Sequence, residues 1–385
     1  PDATSGLSLI YLKIDMDGPR YHDQMAIGNL AIGNVYRHGG SVMKALVFHG
    51  PGKRSWEDKP RPSVDKPTDA VVRITHTTIC GTDLHILKGD VPAVEDGRTL
   101  GHEGVGVVEE IGDGVSNIQV GDEVLISCVT SCGRCDYCKR GVYAHCRDGG
   151  WILGHLIDGT QAEYVRIPHA DNSLFPLPDD MNREAAVMLS DILPTGHEIG
   201  ALNGEVKLGD TVVIVGAGPI GLAALMTSRF YSPARIIMVD PDENRLAMAK
   251  QLGATDVISS NPVEAILAMT GGEGVDVAME AVGIPETFDV CQQIVRAGGH
   301  IANMGVHGKS VDLQLQDLWI KNITLRTGLV STNTIPVLMR AVESGGVEPA
   351  ELVTHRFKLD EIEKAYDIFS DAAREKAIKM ILTAE

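Results

Sequence analysis

Apolar residues after position 42 come in short runs broken by Pro, Gly and Asp clusters. Met43-Lys-Ala-Leu-Val-Phe-His opens the series, and residues 45–48 and 70–75 are its first β-rich stretches. That punctuation predicts a compact, barrel-like and mainly β lobe. From Gly209 the pattern changes to a continuous apolar run, Val-Val-Ile-Val, that feeds a glycine-rich turn and a helix. Strand-like runs at 235–239, 256–258, 275–280, 300–304 and 323–327 then alternate with helical periods, which predicts an open, doubly wound parallel sheet. Beyond Pro336 two amphipathic helix patterns, 337–344 and 360–370, flank a β run at 352–357, and 377–382 forms a last strand.

Length turns these patterns into domains, because 385 residues exceed what one hydrophobic core organises. With 44% hydrophobic residues there is ample material to bury, and a formal charge of -18 argues against nucleic acid or an anionic membrane as partner. The longest apolar run, 212–226, holds three glycines and a proline and falls short of the roughly 20 residues a bilayer requires. Residues 1–42 make no convincing signal peptide, since Leu7 to Ile14 carries Lys13 and has acidic neighbours in Asp2, Asp15 and Asp17. They are expected to be an extension without a catalytic part.

Cysteine usage adds chemistry. Four of the seven cysteines, Cys132, Cys135, Cys138 and Cys146, follow Cys-x2-Cys-x2-Cys-x7-Cys, enough thiolates to close a tetrahedral zinc site with no open position. A zinc so enclosed clamps a lobe rather than reacts, and thiolates of this kind suit a reducing, cytoplasmic setting. Around Thr78 to Val115 the chain offers a different set. Cys80, and 22 residues later His102 and Glu103, present a thiolate, an imidazole and a carboxylate, the donors of a catalytic zinc. Glu103 reads either as a ligand that visits the metal or as a neighbour that tunes it.

The turn after Gly209 carries Gly216, Gly218 and Gly221 between a strand and a helix. Gly216 suits the tight turn, Gly218 a close approach of backbone to a pyrophosphate, and Gly221 close helix–strand packing. Asp240, at the end of the next strand and 19 residues beyond Gly221, would accept hydrogen bonds from an adenosine ribose and repel a 2′-phosphate. NAD is therefore expected over NADP.

Gly101-His102-Glu103 followed by Gly106, Gly112 and Val115 resembles the signature of the zinc-containing alcohol dehydrogenases among the medium-chain dehydrogenases, and the resemblance runs from Met43 to the C-terminus. It implies an α/β fold in which a Rossmann domain at 192–335 joins a mainly β, GroES-like catalytic domain at 43–191 completed by 336–385. It implies a homodimer or homotetramer, and hydride exchange between NAD and a small alcohol, aldehyde or ketone. Catalytic zinc needs a third protein ligand. Asp191 fills that place, where many relatives have Cys, and resembles the branch of bacterial secondary-alcohol and glutathione-independent formaldehyde dehydrogenases. The same likeness gives Thr82 and His85 a proton relay and makes Cys128 and Trp151 walls of the substrate pocket. It sets Thr195, Pro219, Ile220, Val282, Gly305 and Val306 against the cofactor, and Arg245 near its ribose. A polyol, sugar or threonine substrate on the same fold, and formaldehyde dehydrogenation or dismutation, are the alternatives. A zinc-ribbon module that binds nucleic acid is disfavoured by the acidic balance.

Overall fold

The computed structural model describes residues 41–384, so the expectation for the preceding segment lies outside the described residues except at Ser41 and Val42. Eight strands come first: β1 (Val42–Phe48), β2 (Arg54–Pro60), β3 (Ala70–Thr78), β4 (Arg98–Thr99), β5 (Gly104–Ile111), β6 (Glu123–Ile126), β7 (Tyr164–Ile167) and β8 (Leu174–Pro176). The second group is β9 (Thr211–Val215), β10 (Arg235–Val239), β11 (Asp256–Ile258), β12 (Val275–Glu280), β13 (Val295–Asn303) and β14 (Thr324–Thr327). The chain closes with β15 (Val353–Lys358) and β16 (Lys379–Thr383).

These strands build three sheets, ordered β2-β1-β4, β15-β16-β3-β5-β6-β8 with β7 paired to β3, and β11-β10-β9-β12-β13-β14. All pairings in the third sheet are parallel, with helices between successive strands, as the alternation predicts. The fold is thus a mainly β, GroES-like part joined to a Rossmann-like parallel sheet. β13 begins earlier than the apolar pattern indicates: Val295 already pairs with Val275, and Gly298 and Gly299 lie in a bulge before pairing with β12 resumes at His300.

Two features carry the site. First, β16 pairs antiparallel with β3, Ile381 opposite Thr78, so the last strand returns to the β-rich part and runs Lys379 towards Cys80. Second, the largest apolar core is continuous from Val105 and Leu125 through Val187–Leu189 and Ile192 to Val212, Ile214 and Leu222. The cleft between the two sheets therefore rests on one packed floor. Within that floor the short Ile192–Thr195 helix passes into a π-helical stretch, Gly196–Leu202, a widened turn frequently found at functional positions. Among the described residues no helix is long and apolar enough to cross a membrane.

Candidate active site

Cys80 follows β3 and caps the Gly81–Lys88 helix, His102 and Glu103 precede β5, and Asp191 opens the Ile192–Thr195 helix. Three separate segments thus converge. Asp191 Oδ2 lies 3.3 Å from His102 Nε2 and 3.7 Å from Cys80 Sγ. With Glu103 included, one donor atom from each of the four residues lies within 4.8 Å of every other. Ser190 holds the turn in place: its hydroxyl accepts from Gly104 N at 3.1 Å, and its carbonyl accepts from Cys128 N at 3.1 Å.

Electrostatics fits a cation at this point. Burial pushes the Cys80 thiol up. Burial also opposes charge on Asp191 and His102, yet their mutual hydrogen bond prevails, holding the Asp191 carboxyl at about 2 and lifting His102 well above its ordinary value. Glu103 Oε1 is buried without a hydrogen-bond partner. A soft thiolate, an imidazole and a carboxylate beside an orphaned carboxylate oxygen form a donor set suited to zinc, and a divalent ion would offset the negative charge collected there.

Behind the donors is a buried polar layer that the sequence did not reveal. Asp83 Oδ2 accepts from Cys80 N at 2.9 Å and from Gln161 Nε2 at 3.0 Å, while Asp83 Oδ1 faces His102 Nδ1 at 4.0 Å. Tyr366 donates to Gln161 Oε1 at 2.8 Å. Lys379 reaches Glu103 Oε2 at 2.5 Å. Two signals existed: Cys-x-x-Asp is a capping-box spacing, and Lys379 interrupts the otherwise apolar run 377–382.

The donors open into a cleft of about 350 Å³. Thr82 and His85 line it. Thr82 Oγ1 is 3.7 Å from Cys80 Sγ, and His85 Nδ1 is 2.8 Å from Asp90 Oδ2, a partner the sequence did not flag. Cys128, Val129, Trp151, Ile192, Leu329 and Val330 supply apolar wall. Trp151 stacks on His155 with ring centroids 4.3 Å apart. Cys128 Sγ is 3.7 Å from Asp191 Oδ1.

The same cleft is also lined by Thr195, Gly218, Pro219, Ile220, Val282, Gly305 and Val306. Gly216 and Gly221 shape this wall from behind. Gly216 sits at φ +106°, and a Cβ on Gly221 would come within 1.8 Å of Gly216 O, whereas a Cβ on Gly218 would meet nothing within 4 Å. Asp240 is nearly buried, accepting from Ala217 N at 2.8 Å and from Asp242 N at 2.9 Å. Arg245 comes to 3.8 Å from Asp240 but lines a separate groove with Asp242, Asn244 and Lys376.

Cys132, Cys135, Cys138 and Cys146 form a second cluster, again with all sulfurs within 4.8 Å of one another. Backbone amides of Arg147 and Cys138 bring the Cys135 thiol down to about 6, while burial raises Cys138 and Cys146. Four converging sulfurs, one already inclined to ionise, suit a closed tetrahedral zinc.

Residues 66–179 match the family model of the alcohol dehydrogenase GroES-like domain, and residues 219–344 match that of the zinc-binding dehydrogenases. Over 359 residues the chain is 36% identical to an alcohol dehydrogenase of Cupriavidus necator, covering 86% of this chain and 96% of that protein. It is 32% identical over 354 residues to an NADP-dependent isopropanol dehydrogenase of Thermoanaerobacter brockii, with 89% and 100% covered. Zinc-dependent alcohol dehydrogenase 2 from Streptococcus pneumonia is similar in structure, with a TM-score of 0.85 at 58% identity over 89% of this chain and 98% of that one.

Proposed function

This chain belongs to the zinc-type alcohol dehydrogenases of the medium-chain dehydrogenase family, and from that membership we propose that it interconverts small primary or secondary alcohols and their aldehydes or ketones with NAD. One observation carries the reading: a sulfur, a ring nitrogen and a carboxylate oxygen from three distant segments converge in a cleft that the glycine turn also lines. In such a site zinc supplies Lewis acidity at the alcohol oxygen and the nicotinamide supplies a hydride acceptor. Cys80, His102 and Asp191 would hold the ion and leave one position open to the cleft, with Glu103 kept mainly on Lys379. Thr82 would relay the hydroxyl proton, releasing its own as it accepts one, and His85, anchored by Asp90 at the partly exposed rim, would pass a proton to solvent.

The finer choices rest on particular residues. A carboxylate at Asp240 opposes a 2′-phosphate, which favours NAD. The walls of Val129, Trp151, Ile192, Leu329 and Val330 give the extra hydroxyls of a polyol or sugar few partners, so monohydric alcohols fit better. The four-cysteine cluster would hold a second, structural zinc. β14 ends its sheet, and Trp319, Ile320 and Leu315 nearby are 71%, 67% and 60% exposed, which supports a homo-oligomer. Seven free cysteines suit the cytoplasm.

The test is reduced-cofactor formation from primary, secondary and polyol substrates with NAD and with NADP, alongside metal content of the same sample. Turnover of small monohydric alcohols with NAD, abolished in Asp191→Ala, is expected. A fully zinc-loaded protein inert toward every alcohol would overturn the reading.

A further inference from the structure

The two oxygens of Asp191 have separate surroundings. Oδ2 faces His102 and Cys80, whereas Oδ1 turns away and accepts a hydrogen bond from Thr195 Oγ1 at 2.8 Å. Thr195 is fixed there twice, since its backbone N–H also donates to Asp191 O at 2.8 Å. The other group near Oδ1 is the Cys128 thiol at 3.7 Å, which is too weak a donor to replace a hydroxyl.

We propose that Thr195 is a positioning residue that restrains Asp191 to one-oxygen coordination and so keeps the fourth zinc position free for substrate. The inference rests on the reading of Asp191 as a zinc ligand. A cysteine at position 191 would present a single sulfur and need no restraint. A carboxylate presents two equivalent oxygens that can both close on one cation, and the second would occupy the place where the alcohol must arrive. Withdrawing Oδ1 into a hydrogen bond solves this problem, and a residue four positions along the first helical turn is where such a hydroxyl can stand. Thr195 also lines the cleft beside Gly218, Pro219 and Ile220, so the same side chain touches both the carboxylate ligand and the wall proposed for the cofactor.

The experiment uses the whole enzyme with cobalt in place of zinc. The visible bands of cobalt are intense when the ion is tetrahedral and weaken when a fifth ligand joins, and the four-thiolate centre adds only a constant background. Thr195→Val keeps the side-chain shape but removes the hydroxyl; Thr195→Ser keeps the hydroxyl. Thr195→Val should lose tetrahedral band intensity and turn over on the order of 10-fold more slowly, while Thr195→Ser should retain the wild-type spectrum. If Thr195→Val keeps that spectrum while Asp191→Asn alters it, the restraint is overturned and the ligand reading stands. If Asp191→Asn leaves the spectrum unaltered, the ligand reading falls and takes the restraint with it.

Discussion

Lys379 and Glu103, 276 positions apart in the chain, meet at 2.5 Å with each side chain only 1% exposed. Burial disfavours the charge on both, and Lys379 stays cationic because Glu103, Cys80 and Asp191 surround it with negative charge. Removing one partner leaves the other buried and uncompensated. Lys379→Met should therefore cost about 3–5 kcal/mol, read from urea unfolding of the metal-loaded enzyme, while Lys379→Arg should recover most of it. A loss below about 1 kcal/mol would mean that the pair behaves like a surface ion pair.

Zinc uptake at the Cys80–His102–Asp191 centre should depend steeply on pH. Burial raises the Cys80 thiol, and His102, against the effect of its burial, is lifted by Asp191 and Cys80, so both groups must shed protons before they can ligate. Affinity should rise by about ten-fold per pH unit for each proton displaced until those raised values are passed, which chelator competition at several pH values would measure. The metal-free protein shows the reverse sign. Its His102–Asp191 pair adds stability that is full below about pH 6.5 and fades as pH rises through the higher folded value of His102. On the acid side Asp191 loses its share between about pH 4, the unfolded carboxyl range, and its folded value of about 2.

Cofactor choice should move with Asp240. A 2′-phosphate set against this carboxylate at ~4 Å costs ~1–4 kcal/mol, so Asp240→Gly should raise kcat/KM with NADP on the order of 10-fold or more. The same change frees the amides of Ala217 and Asp242, so affinity for NAD should fall as well. Parallel titrations with both dinucleotides would check it, and a wild type that already prefers NADP would contradict the assignment.

Pocket size should follow Cys128 and Trp151. Cys128→Phe fills space beside Asp191 and should lower the ratio of secondary to primary alcohol turnover. Trp151→Ala removes a stacked ring from the wall and should improve bulky alcohols on the order of 10-fold. An unchanged ratio in both variants would place the substrate elsewhere.

The four-cysteine lobe should behave as a clamp. Cys146→Ser should weaken the zinc site proposed for these four sulfurs and lower the thermal midpoint, because a closed zinc site contributes directly to folding. Elemental analysis and calorimetry of the same sample would show both effects together.

Much of the fold was legible in the chain because its signals are local. Strand and helix periods, the Gly216–Gly221 turn and the Cys132–Cys146 spacing each depend on residues a few positions apart, whose geometry is set by covalent neighbours and backbone sterics. The chemical types at positions 80, 102 and 103 likewise offered donors suited to a metal, and the fold brings those donors together. Glycines blurred one boundary, that of β13, because a bulge at Gly298 and Gly299 separates its first paired residue, Val295, from the apolar run that follows.

What lies between distant segments was decided only by tertiary structure. The antiparallel register of β16 on β3 brings Lys379 to Glu103, and the turn at Asp191 determines which of its oxygens faces His102 and which faces Thr195. The amino-acid order names donors, turns and charges, but strand pairing and a shared core set the ångström distances at which those groups meet, and coordination and hydrogen bonding respond to distance.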